Sequence, residues 1–557
     1  MSRTIPSLAY FLQNSTLEII DLGFSGLTAN VDKHSFSSNF QLRILLLDSC
    51  NLGGQIPIFI SNLTRLTLLS LSNNSLSGRI PFWLLNLPSL GYLDLSLNNL
   101  RGALPPNIKL KSYFGPTTLR LGSKQLQGPI PSSLENVDDV DLSRNNFTGH
   151  MPTHLGLQNI KYLSLSANKL SGAIPSSFCD ANNQLMLLDL SNNSLRGTVP
   201  TSIGNCASLI FLNLGGNNLS GQIPKELEGA KNLNYLDIRG NLFDGSFPSA
   251  LHKLQRLIVL NLGSNRFEGS IPRYIGDLQD LLILVLEFNS FNGSIPQDIT
   301  KLEKLQIIGF SNNQLSGPTP EKLSAGLKKL TTRAVDGNLL GFVISDIYAG
   351  VELKMVIKGF LRHLEVVRTY NRGKDLLCNN LTGSLPSELG LLRGLYMLNL
   401  SHNEILSDIP TSISSMSTLE SLDLSFNRLT GEIPTTLTLL DSLTTLSLSF
   451  NNLSGKIPTE PHFDTLSRDG LAYIGNKFLC GAPDAVISCD SNSSSGDSVT
   501  TNLKYSGQQQ VLFYAAVITG YGVDTAGFFL ILQLMNETWR QRYWTANDRI
   551  ALRIIRC

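Results

Sequence analysis

The side chains best suited to chemistry in this chain recur at regular intervals, and they point to binding rather than to catalysis. They are aromatic or charged residues that alternate with leucines. The first group is Phe211, Tyr235, Asp237, Arg239, Glu287 and Phe288, with Asn234 and Asn261 beside them. A second group is Tyr396, His402, Glu420, Asp423 and Phe426, with Asn399 and Phe450 nearby. Aromatic rings beside charges are what a peptide or protein partner uses, so both groups are predicted to bind a ligand. The alternative is that these positions vary freely and carry no function.

No sequence pattern for catalysis, metal binding or a cofactor accompanies these residues. The chain contains no Gly-rich phosphate loop, no HRD or DFG signature and no G-x-S-x-G motif. Its seven histidines are scattered, without metal-ligand spacing. The formal net charge is +1, which gives no overall field for nucleic acid. The sequence therefore predicts neither an enzyme nor a metal, cofactor or nucleic-acid site.

The elements that position these side chains are copies of one repeat, LxxLxLxxNxLxGxIPxxLxxL, with a period near 24 residues. Alternating leucines point inward from a short strand, and the asparagine amide satisfies backbone groups that the following turn leaves unpaired. One unit cannot bury its own apolar side, so about 17 units must stack. The asparagines that keep this register are Asn74, Asn98, Asn145, Asn168, Asn193, Asn217, Asn241, Asn265, Asn289, Asn313, Asn379, Asn403, Asn427 and Asn451.

The segment after each asparagine carries a family resemblance. It reads SGRIP at Ser77–Pro81, SGQIP at Ser220–Pro224, EGSIP at Glu268–Pro272, TGEIP at Thr430–Pro434 and SGKIP at Ser454–Pro458. These segments resemble the plant-specific class of leucine-rich repeats. The resemblance covers residues 17 to 458 apart from one interruption. It implies an α/β-type leucine-rich-repeat solenoid, with short parallel strands on a concave face and turns with 3-10 pieces on a convex face.

The interruption is the segment 321–373, in which the asparagine ladder disappears. It contains an alternating stretch, Val351–Gly359, that predicts a strand. Plant receptor-like proteins carry an island before their last four repeats, often with a Lys-Gly pair such as Lys358-Gly359. The resemblance therefore implies about 13 repeats in 17–320, an island in 321–373 and four repeats in 374–458. A decayed pair of repeats is the other interpretation. Lys374 departs from the pattern, because an inward apolar residue is expected there.

The cysteines favour a small cap after the repeats. The segment Gly475–Cys489, GNKFLCGAPDAVISC, resembles the C-terminal cap of plant repeat receptors. That resemblance implies a disulfide between Cys480 and Cys489 within a cap at 459–490. Cys179 and Cys206 lie at similar places in neighbouring units, and whether they pair stays open.

The last part of the chain predicts a single membrane span. Residues 491–510 form a polar spacer, and 511–534 hold 24 residues with one charge, enough to cross a bilayer. The tail 535–557 is rich in arginine, which places it in the cytoplasm and the repeats outside at the plasma membrane. Gly522 and Ala526 would allow close approach of a second helix. Asp524, near the middle of the span, would face a partner or be neutral.

Glycosylation sequons also favour the secretory pathway, although an Asn- and Ser-rich repeat produces some by chance. The predicted glycosylation sites are Asn62, Asn146, Asn218, Asn292, Asn380, Asn399 and Asn452. Residues 1–16 lack a clear signal peptide, because Pro6 breaks the apolar run and repeat register begins by Leu17. They predict a truncated start.

Taken as a whole, the resemblance implies a kinase-less, single-pass receptor-like protein of plants. Such a protein binds an extracellular peptide, protein or glycan and signals through a partner leucine-rich-repeat receptor kinase, in defence or development. Two alternatives remain open. One is a leucine-rich-repeat inhibitor of microbial wall-degrading enzymes, which has no use for a membrane span. The other is a truncated, non-functional receptor copy.

Overall fold

The structure is a computed structural model that describes most of the repeats. The described residues are 17–24, 42–111, 115–122, 125–153, 159–179, 184–320, 341–344, 347–350, 353–357, 360–364, 373–461, 463–466 and 471–481. The chain divides into two compact units, which are described separately. The first is Met1–Gly269 with Asp277–Ile283, and the second is Ser270–Gly276 with Leu284–Cys557.

Each repeat of the first unit contributes a three-residue strand to a parallel ladder. The central residue of each strand points inward, as Leu212 and Leu236 do, and both are buried. Neighbouring strands pair in register, so that Phe211 lies beside Tyr235. The strands of this ladder are Ile19–Asp21, Ile44–Leu46, Leu68–Ser70, Tyr92–Asp94, Thr118–Arg120, Asp139–Asp141, Tyr162–Ser164, Leu187–Asp189, Phe211–Asn213, Tyr235–Asp237 and Val259–Asn261. Ile283–Val285 follows in the chain and contains the boundary between the units.

A second parallel ladder forms where only turns and helical pieces were expected. In each repeat one buried residue alternates with exposed ones after the asparagine, which suits a strand that is covered on one side. Its strands in the first unit are Gly53–Gly54, Ser75–Gly78, Asn99–Gly102, Gln125–Gly128, Asn146–His150, Lys169–Gly172, Ser194–Gly197, Asn218–Gly221 and Leu242–Gly245. Arg266–Ser270 ends at the boundary between the units. Asn107–Lys109 and Ser133–Glu135 pair separately.

Short 3-10 helices complete the repeats, and the proline of the Ile-Pro segment starts most of them. Pro224, for example, has an extended backbone, and its carbonyl accepts the amide hydrogen of Leu227 at 3.1 Å. Proline suits this place because its own nitrogen has no hydrogen to satisfy. The 3-10 helices of the first unit are Ile58–Asn62, Leu84–Asn86, Ser176–Cys179, Thr201–Asn205, Lys225–Gly229 and Ser249–Lys253, and Arg273–Asp277 crosses the boundary.

The second unit continues the same pattern. Its strands with inward-pointing central residues are Ile307–Gly309, Gly373–Asp375, Met397–Asn399, Ser421–Asp423 and Thr445–Ser447. Its other strands are Ser290–Ser294, Gln314–Pro318, Asn380–Thr382, Ser454–Lys456 and Phe478–Cys480. Its 3-10 helices are Gln297–Lys301, Ser387–Leu391, Thr411–Ser415, Thr435–Leu439, Phe463–Thr465 and Leu471–Tyr473.

The segment proposed as an island contains two antiparallel hairpins. Gly341–Ile344 pairs with Ile347–Gly350, and Leu353–Ile357 pairs with Phe360–Leu364. The predicted strand in Val351–Gly359 is therefore present as Leu353–Ile357. On either side of the segment, Ile307–Gly309 pairs directly with Gly373–Asp375. The parallel ladder thus continues across the interruption, and the hairpins do not replace one of its strands.

The asparagine side chains tie successive repeats together. Asn217 donates hydrogen bonds from Nδ2 to the carbonyls of Leu190 and Leu214, both at 3.0 Å, and its Oδ1 accepts the amide of Leu195 at 3.0 Å. Asn476 was not predicted as part of the ladder, yet it makes the same bonds, to the carbonyl of Leu448 and from the amide of Leu453. The repeat pattern therefore extends one unit further than the sequence pattern indicated, into the segment assigned to the cap.

The structure shows that Cys179 and Cys206, whose pairing the sequence left open, are bonded to each other. Cys179 and Cys206 form a disulfide, with their Cα atoms 5.0 Å apart. Cys480 is also disulfide-bonded, but Cys489 lies outside the described residues, so their pairing stays a prediction. Cys378 is also disulfide-bonded. Cys50 is a free buried thiol.

Within the part of the chain that the structure describes, no helix is long and apolar enough to cross a membrane. The predicted span 511–534, with Gly522, Asp524 and Ala526, lies outside that part. Among the predicted glycosylation sites, Asn399 is only 4% exposed, and its Oδ1 accepts hydrogen bonds from Ser401. It has no room for a glycan, because strand-face neighbours cover it. The other six sites are exposed or half-buried: Asn62, Asn146, Asn218, Asn292, Asn380 and Asn452.

Candidate functional site

The first predicted group lies on the strand face, meaning the side chains that alternate with the inward leucines. Phe211 and Tyr235 occupy the same place in adjacent repeats, and their rings stack with centroids 4.1 Å apart and planes 10° from parallel. Both rings are buried. Stacked aromatic pairs contribute about 0.5–1.5 kcal/mol beyond their buried area. These rings therefore hold neighbouring repeats together.

Asp237 occupies the centre of the same cluster and is completely buried, with 0% exposure. Its Oδ1 accepts the backbone amide of Arg239 at 3.0 Å, and its Oδ2 accepts the hydroxyl of Tyr235 at 3.3 Å. The Arg239 guanidinium approaches the same oxygen to 3.5 Å. Burial, with the nearby Asp237 carboxylate, raises the pKa of Tyr235 well above its ordinary value. The phenol therefore stays protonated and keeps donating to the carboxylate.

We call Phe211, Tyr235, Asp237 and Arg239 the closed patch. Sequence alternation correctly predicted that these side chains point away from the leucines, but the predicted exposure is wrong for three of the four. The physical reason is the close spacing of neighbouring strands, about 4.8 Å, which lets large side chains cover one another. Only Arg239 is partly accessible. The charges and rings in this patch bind each other.

Glu287 and Phe288 lie in the second unit and differ from each other. Glu287 is buried, whereas Phe288 is exposed and has a left-handed backbone with φ of 54°. The structure therefore leaves only the aromatic member of this pair at the surface.

The second predicted group contains a continuous aromatic stack, which we call the open column: His402, Phe426 and Phe450. The rings of His402 and Phe426 are 4.1 Å apart at 13°, and those of Phe426 and Phe450 are 4.4 Å apart at 18°. Phe426 and Phe450 remain 40% and 43% exposed. Three repeats thus present one aromatic surface to solvent.

Every residue of the open column has a backbone conformation that large side chains rarely adopt. The φ angles of His402, Phe426 and Phe450 are 53°, 51° and 52°. The left-handed region costs an L-residue roughly 1–2 kcal/mol relative to the right-handed one. All repeats of the ladder use it immediately before the asparagine, where Gly216, Gly240 and other residues take the place. Leu97 and Arg144 adopt it as well, so the conformation belongs to the repeat, and the phenylalanines differ by the stacking of their rings.

Gly475 ends the column. Its φ is 83°, and a Cβ atom added to it would lie 2.6 Å from Cδ1 of Phe450. Any larger residue would collide with the ring. The glycine therefore allows the Phe450 ring to lie flat over the next turn. Residue type alone does not mark this glycine, although its place directly before Asn476 does.

The environment keeps His402 neutral near neutral pH. Burial lowers its pKa below the ordinary value, and the carboxylate of Asp423 opposes that shift only in part. The pKa of Asp423 is itself raised by burial, against hydrogen bonds from the amide and hydroxyl of Ser425 at 3.0 and 2.6 Å. A neutral imidazole stacked on phenylalanine makes the column an apolar surface with a polar edge.

Tyr396 and Glu420 lie at an earlier position of the same repeats, and both are half-buried. The backbone amide of Glu420 donates to the carbonyl of Tyr396 at 2.8 Å, so the two residues are in adjacent repeats at matching places. They and the open column belong to the last repeats. The structure thus keeps Tyr396, His402, Glu420, Asp423 and Phe426 on adjacent repeats, as the sequence predicted.

The first strand after the interruption contains two buried polar groups without full pairing. Lys374 points inward between Ile308 and Leu398, is 1% exposed, and its Nζ makes no hydrogen bond. Burial lowers its pKa to about 7. Asp375 is equally buried, its Oδ2 is unpaired, and burial raises its pKa to about 7. The departure noted at Lys374 is therefore a real defect in the apolar core.

No group of three or more His, Cys, Asp or Glu side chains is arranged to hold a metal ion in the described part of the chain. The accessible aromatic surface of the last repeats is concentrated in the open column, whereas the buried carboxylate of the closed patch is bonded internally.

Comparison with known proteins agrees with the repeat. Models of the leucine-rich-repeat family match residues 159–219, 183–243 and 393–453, and also 41–63, 65–87 and 256–278. Receptor-like protein EIX2 of Solanum lycopersicum is 34% identical over 204 residues, which cover 36% of this chain and 17% of that protein. Receptor-like protein 32 of Arabidopsis thaliana is 36% identical over 110 residues, or 18% and 13% of the two chains. The chain thus matches less than a fifth of the length of either relative.

Solved structures show the same fold over a larger part of the chain. A TDR receptor superposes with a TM-score of 0.65 and 24% identity, covering 87% of this chain and 73% of the other. The Arabidopsis receptor kinase HAESA, solved with the peptide hormone IDA and the co-receptor SERK1, gives a TM-score of 0.58 at 29% identity, with the same two coverages. The predicted leucine-rich-repeat fold of parallel strands is confirmed. The chain is therefore built of leucine-rich repeats, and it is similar to receptor-like proteins of plants.

Proposed function

We propose that this chain recognises an extracellular peptide, protein or glycan with the strand face of its last repeats and signals through a partner receptor kinase. The HAESA structure, in which a related fold holds a peptide hormone and a co-receptor, supports this kind of role. In this proposal the signal passes to the kinase when the two proteins associate.

The observation that carries the proposal is the open column. Its rings stack with centroids 4.4 Å apart, and Phe426 and Phe450 remain 40% and 43% exposed. A recognition surface needs accessible aromatic side chains that are held in fixed places. Exposed aromatic rings on a rigid ladder are suited to that purpose, because they bury a large area on contact at little cost in side-chain entropy.

The island 321–373 is the second element of the proposal. Its two hairpins branch from the ladder between Gly309 and Gly373, one repeat before the open column begins. Loops that project from a repeat scaffold are common binding elements. We assign the island to the same recognition surface as the last repeats.

The route to the kinase has two contacts in this proposal. One is the ectodomain, and the other is the predicted span 511–534, which would hold the protein in the plasma membrane with its tail 535–557 in the cytoplasm. Gly522 and Ala526 would provide the small surface on which a partner helix could pack.

Co-purification tests the proposal. The tagged full-length chain is expressed in leaves, the membranes are solubilised in mild detergent, and receptor kinases that elute with it are quantified by mass spectrometry. Replacing Phe426 and Phe450 together by Ser is expected to lower kinase recovery about tenfold, the effect of losing one good anchor of ~1.4 kcal/mol or more. Gly522→Leu with Ala526→Leu should lower it independently.

Phe82→Ser is the matched control, because Phe82 is also highly exposed but lies outside the column. It should leave recovery unchanged. Recovery that survives both the column and the span variants would contradict the proposal. Release of the chain from membranes by alkaline carbonate would instead favour a secreted inhibitor of wall-degrading enzymes.

A further inference from the structure

A polar groove follows the second ladder of the first unit, on elements that the proposed recognition surface does not use. Its volume is about 850 Å³, within the range of ligand sites of roughly 300–1,000 Å³. Its lining side chains are Gln55, Arg79, Arg101, Gln125, Gln127 and Asn146. We propose that this groove binds an acidic oligosaccharide, one whose sugar units carry carboxylates. The proposal does not depend on the receptor role.

The charge of the groove requires an anion. Two guanidinium groups line it, from Arg79 and Arg101, and no carboxylate does. Both side chains are exposed, and neither makes an ion pair or a hydrogen bond among the residues that the structure describes. By contrast, Lys109 in the neighbouring strand pair has its own partner in Glu135 at 2.7 Å. The two arginines therefore offer planar, two-pronged donors to a carboxylate.

Two glycines leave room for the stems of long side chains along the groove. A Cβ atom added to Gly102, whose φ is 98°, would lie 3.1 Å from Cγ of Arg79. The stem of Arg79 thus lies directly over the next repeat's glycine. Gln55 lies over Gly78 in the same way, at 3.4 Å. Because the stems of Gln55 and Arg79 rest on the following repeat, the stacking of repeats fixes the positions of these two side chains.

The remaining lining favours sugar over peptide. Gln125 is in register with Arg101, and Gln127 is in register with Asn146, so amides alternate with arginine across adjacent strands. An amide offers both donors and an acceptor, which matches the hydroxyl groups of a sugar. Apart from Pro81, no apolar side chain lines the groove. A peptide or protein partner would lack the buried aromatic or aliphatic anchor that such contacts use.

The test measures binding of a galacturonic acid tetramer to the purified full-length chain by isothermal titration calorimetry. The fully methyl-esterified tetramer has the same hydroxyls without the charges and is expected to bind about tenfold more weakly, as is the acid tetramer at 0.5 M salt. The double variant Arg79→Gln with Arg101→Gln should weaken acid tetramer binding by a similar factor.

The chain supplies a matched control for the variant. Arg196 takes the place in Ser194–Gly197 that Arg101 takes in Asn99–Gly102, and it is also exposed, but it does not line the groove. Arg196→Gln should bind the tetramer as the wild type does. An equal loss in Arg196→Gln would show that any exposed arginine suffices and would overturn the proposal.

Other probes separate the remaining ligand chemistries. Inorganic phosphate that binds as tightly as the tetramer would reduce the groove to a simple anion site. A tetra-glutamate peptide that binds as tightly would point to a protein partner. Either result, or no binding of the acid tetramer, would overturn the proposal.

Asn146 begins a sequon, so a glycan on it would lie at the groove. Thr148→Val removes the sequon but keeps the asparagine, and this variant is expected to bind the tetramer at least as tightly as the wild type. Weaker binding by Thr148→Val would mean that the glycan, and not the groove, contacts the sugar, which contradicts the assignment.

Discussion

Two regions of this protein use the same kinds of side chain in opposite ways. In the closed patch, the rings of Phe211 and Tyr235 are buried, and every oxygen of Asp237 has a partner. In the last repeats, the rings of Phe426 and Phe450 stay open, and they lie on strained backbone. Nearby, Lys374 is buried without any partner.

The difference indicates which region stabilises the fold and which region lowers its stability. The closed patch satisfies its polar groups and buries its rings, which is what a structural cluster requires. The last repeats leave two phenylalanine rings open to solvent and contain an unpaired buried amine, which costs free energy. Natural proteins tend to break local rules of this kind at functional sites. Aromatic and charged composition alone does not separate the two cases.

The largest expected effect is the loss of the closed patch's carboxylate. Asp237→Ala leaves the Tyr235 hydroxyl and the Arg239 guanidinium without their buried acceptor, and should lower the free energy of unfolding by about 3–5 kcal/mol. Urea denaturation, followed by hydrogen exchange of peptides covering 211–239, measures it. Asp237→Asn keeps acceptor geometry and should cost less. A loss below about 1 kcal/mol in the alanine variant would show that the patch is not structural.

The opposite sign is expected for Lys374. Lys374→Met replaces an unpaired buried amine by an apolar side chain of similar length, between Ile308 and Leu398. It should raise the free energy of unfolding by about 1–4 kcal/mol, measured by the same denaturation. Lys301→Met is the control, since Lys301 is exposed and its amine is paired, with Asp298 at 2.8 Å. A destabilised Lys374→Met chain would mean that the amine has a structural role.

The pH dependence of stability distinguishes the two regions further. Burial raises the pKa of Asp375 from 3.8 to about 7, so the folded state holds an extra proton and stability falls as pH rises through that window. Burial lowers the pKa of Lys374 from 10.5 to about 7, so the unfolded state holds the extra proton and stability rises as pH increases above 7.

Together these two groups predict a minimum in stability near pH 7 for the repeats that contain them. Unfolding of wild type and Lys374→Met over pH 4–10 measures it. The rise on the alkaline side should disappear in the variant, while the fall on the acid side remains. A wild-type profile that is flat or has its maximum near pH 7 would contradict the assigned burial of these charges.

Much of this fold was predictable because every repeat places the same residue types in the same contacts. The inward leucines, the asparagine register and the proline before each 3-10 helix follow from residue type and spacing alone. The second ladder was not predicted. Each of its strands contains only one buried residue, as in Ser75–Gly78. A single repeat therefore shows too short an alternation of buried and exposed residues to predict a strand.

Alternation in the sequence predicted which way the side chains of the candidate site point, but not how much of each side chain is exposed to solvent. Alternation places Tyr235 and Phe426 on the same side of the ladder as ligand-facing residues, yet one is buried and the other open. Exposure depends on the neighbouring repeats: Phe211 stacks on Tyr235, and Asp237 accepts its hydroxyl. Exposure also depends on backbone conformation. The residue types of Ser425, Phe426 and Asn427 do not by themselves predict that Phe426 has a left-handed backbone.

The central claim is that the open column serves recognition while the closed patch serves stability, and Phe426→Gly tests it most directly. Glycine already occupies the same left-handed place at Gly216 and Gly240. Relief of backbone strain should therefore offset the lost stacking, and the free energy of unfolding should change by no more than about 1 kcal/mol. Recovery of partner kinases from solubilised membranes should fall about tenfold. Unchanged recovery together with a loss of more than about 2 kcal/mol would show that the ring is structural and would contradict the claim.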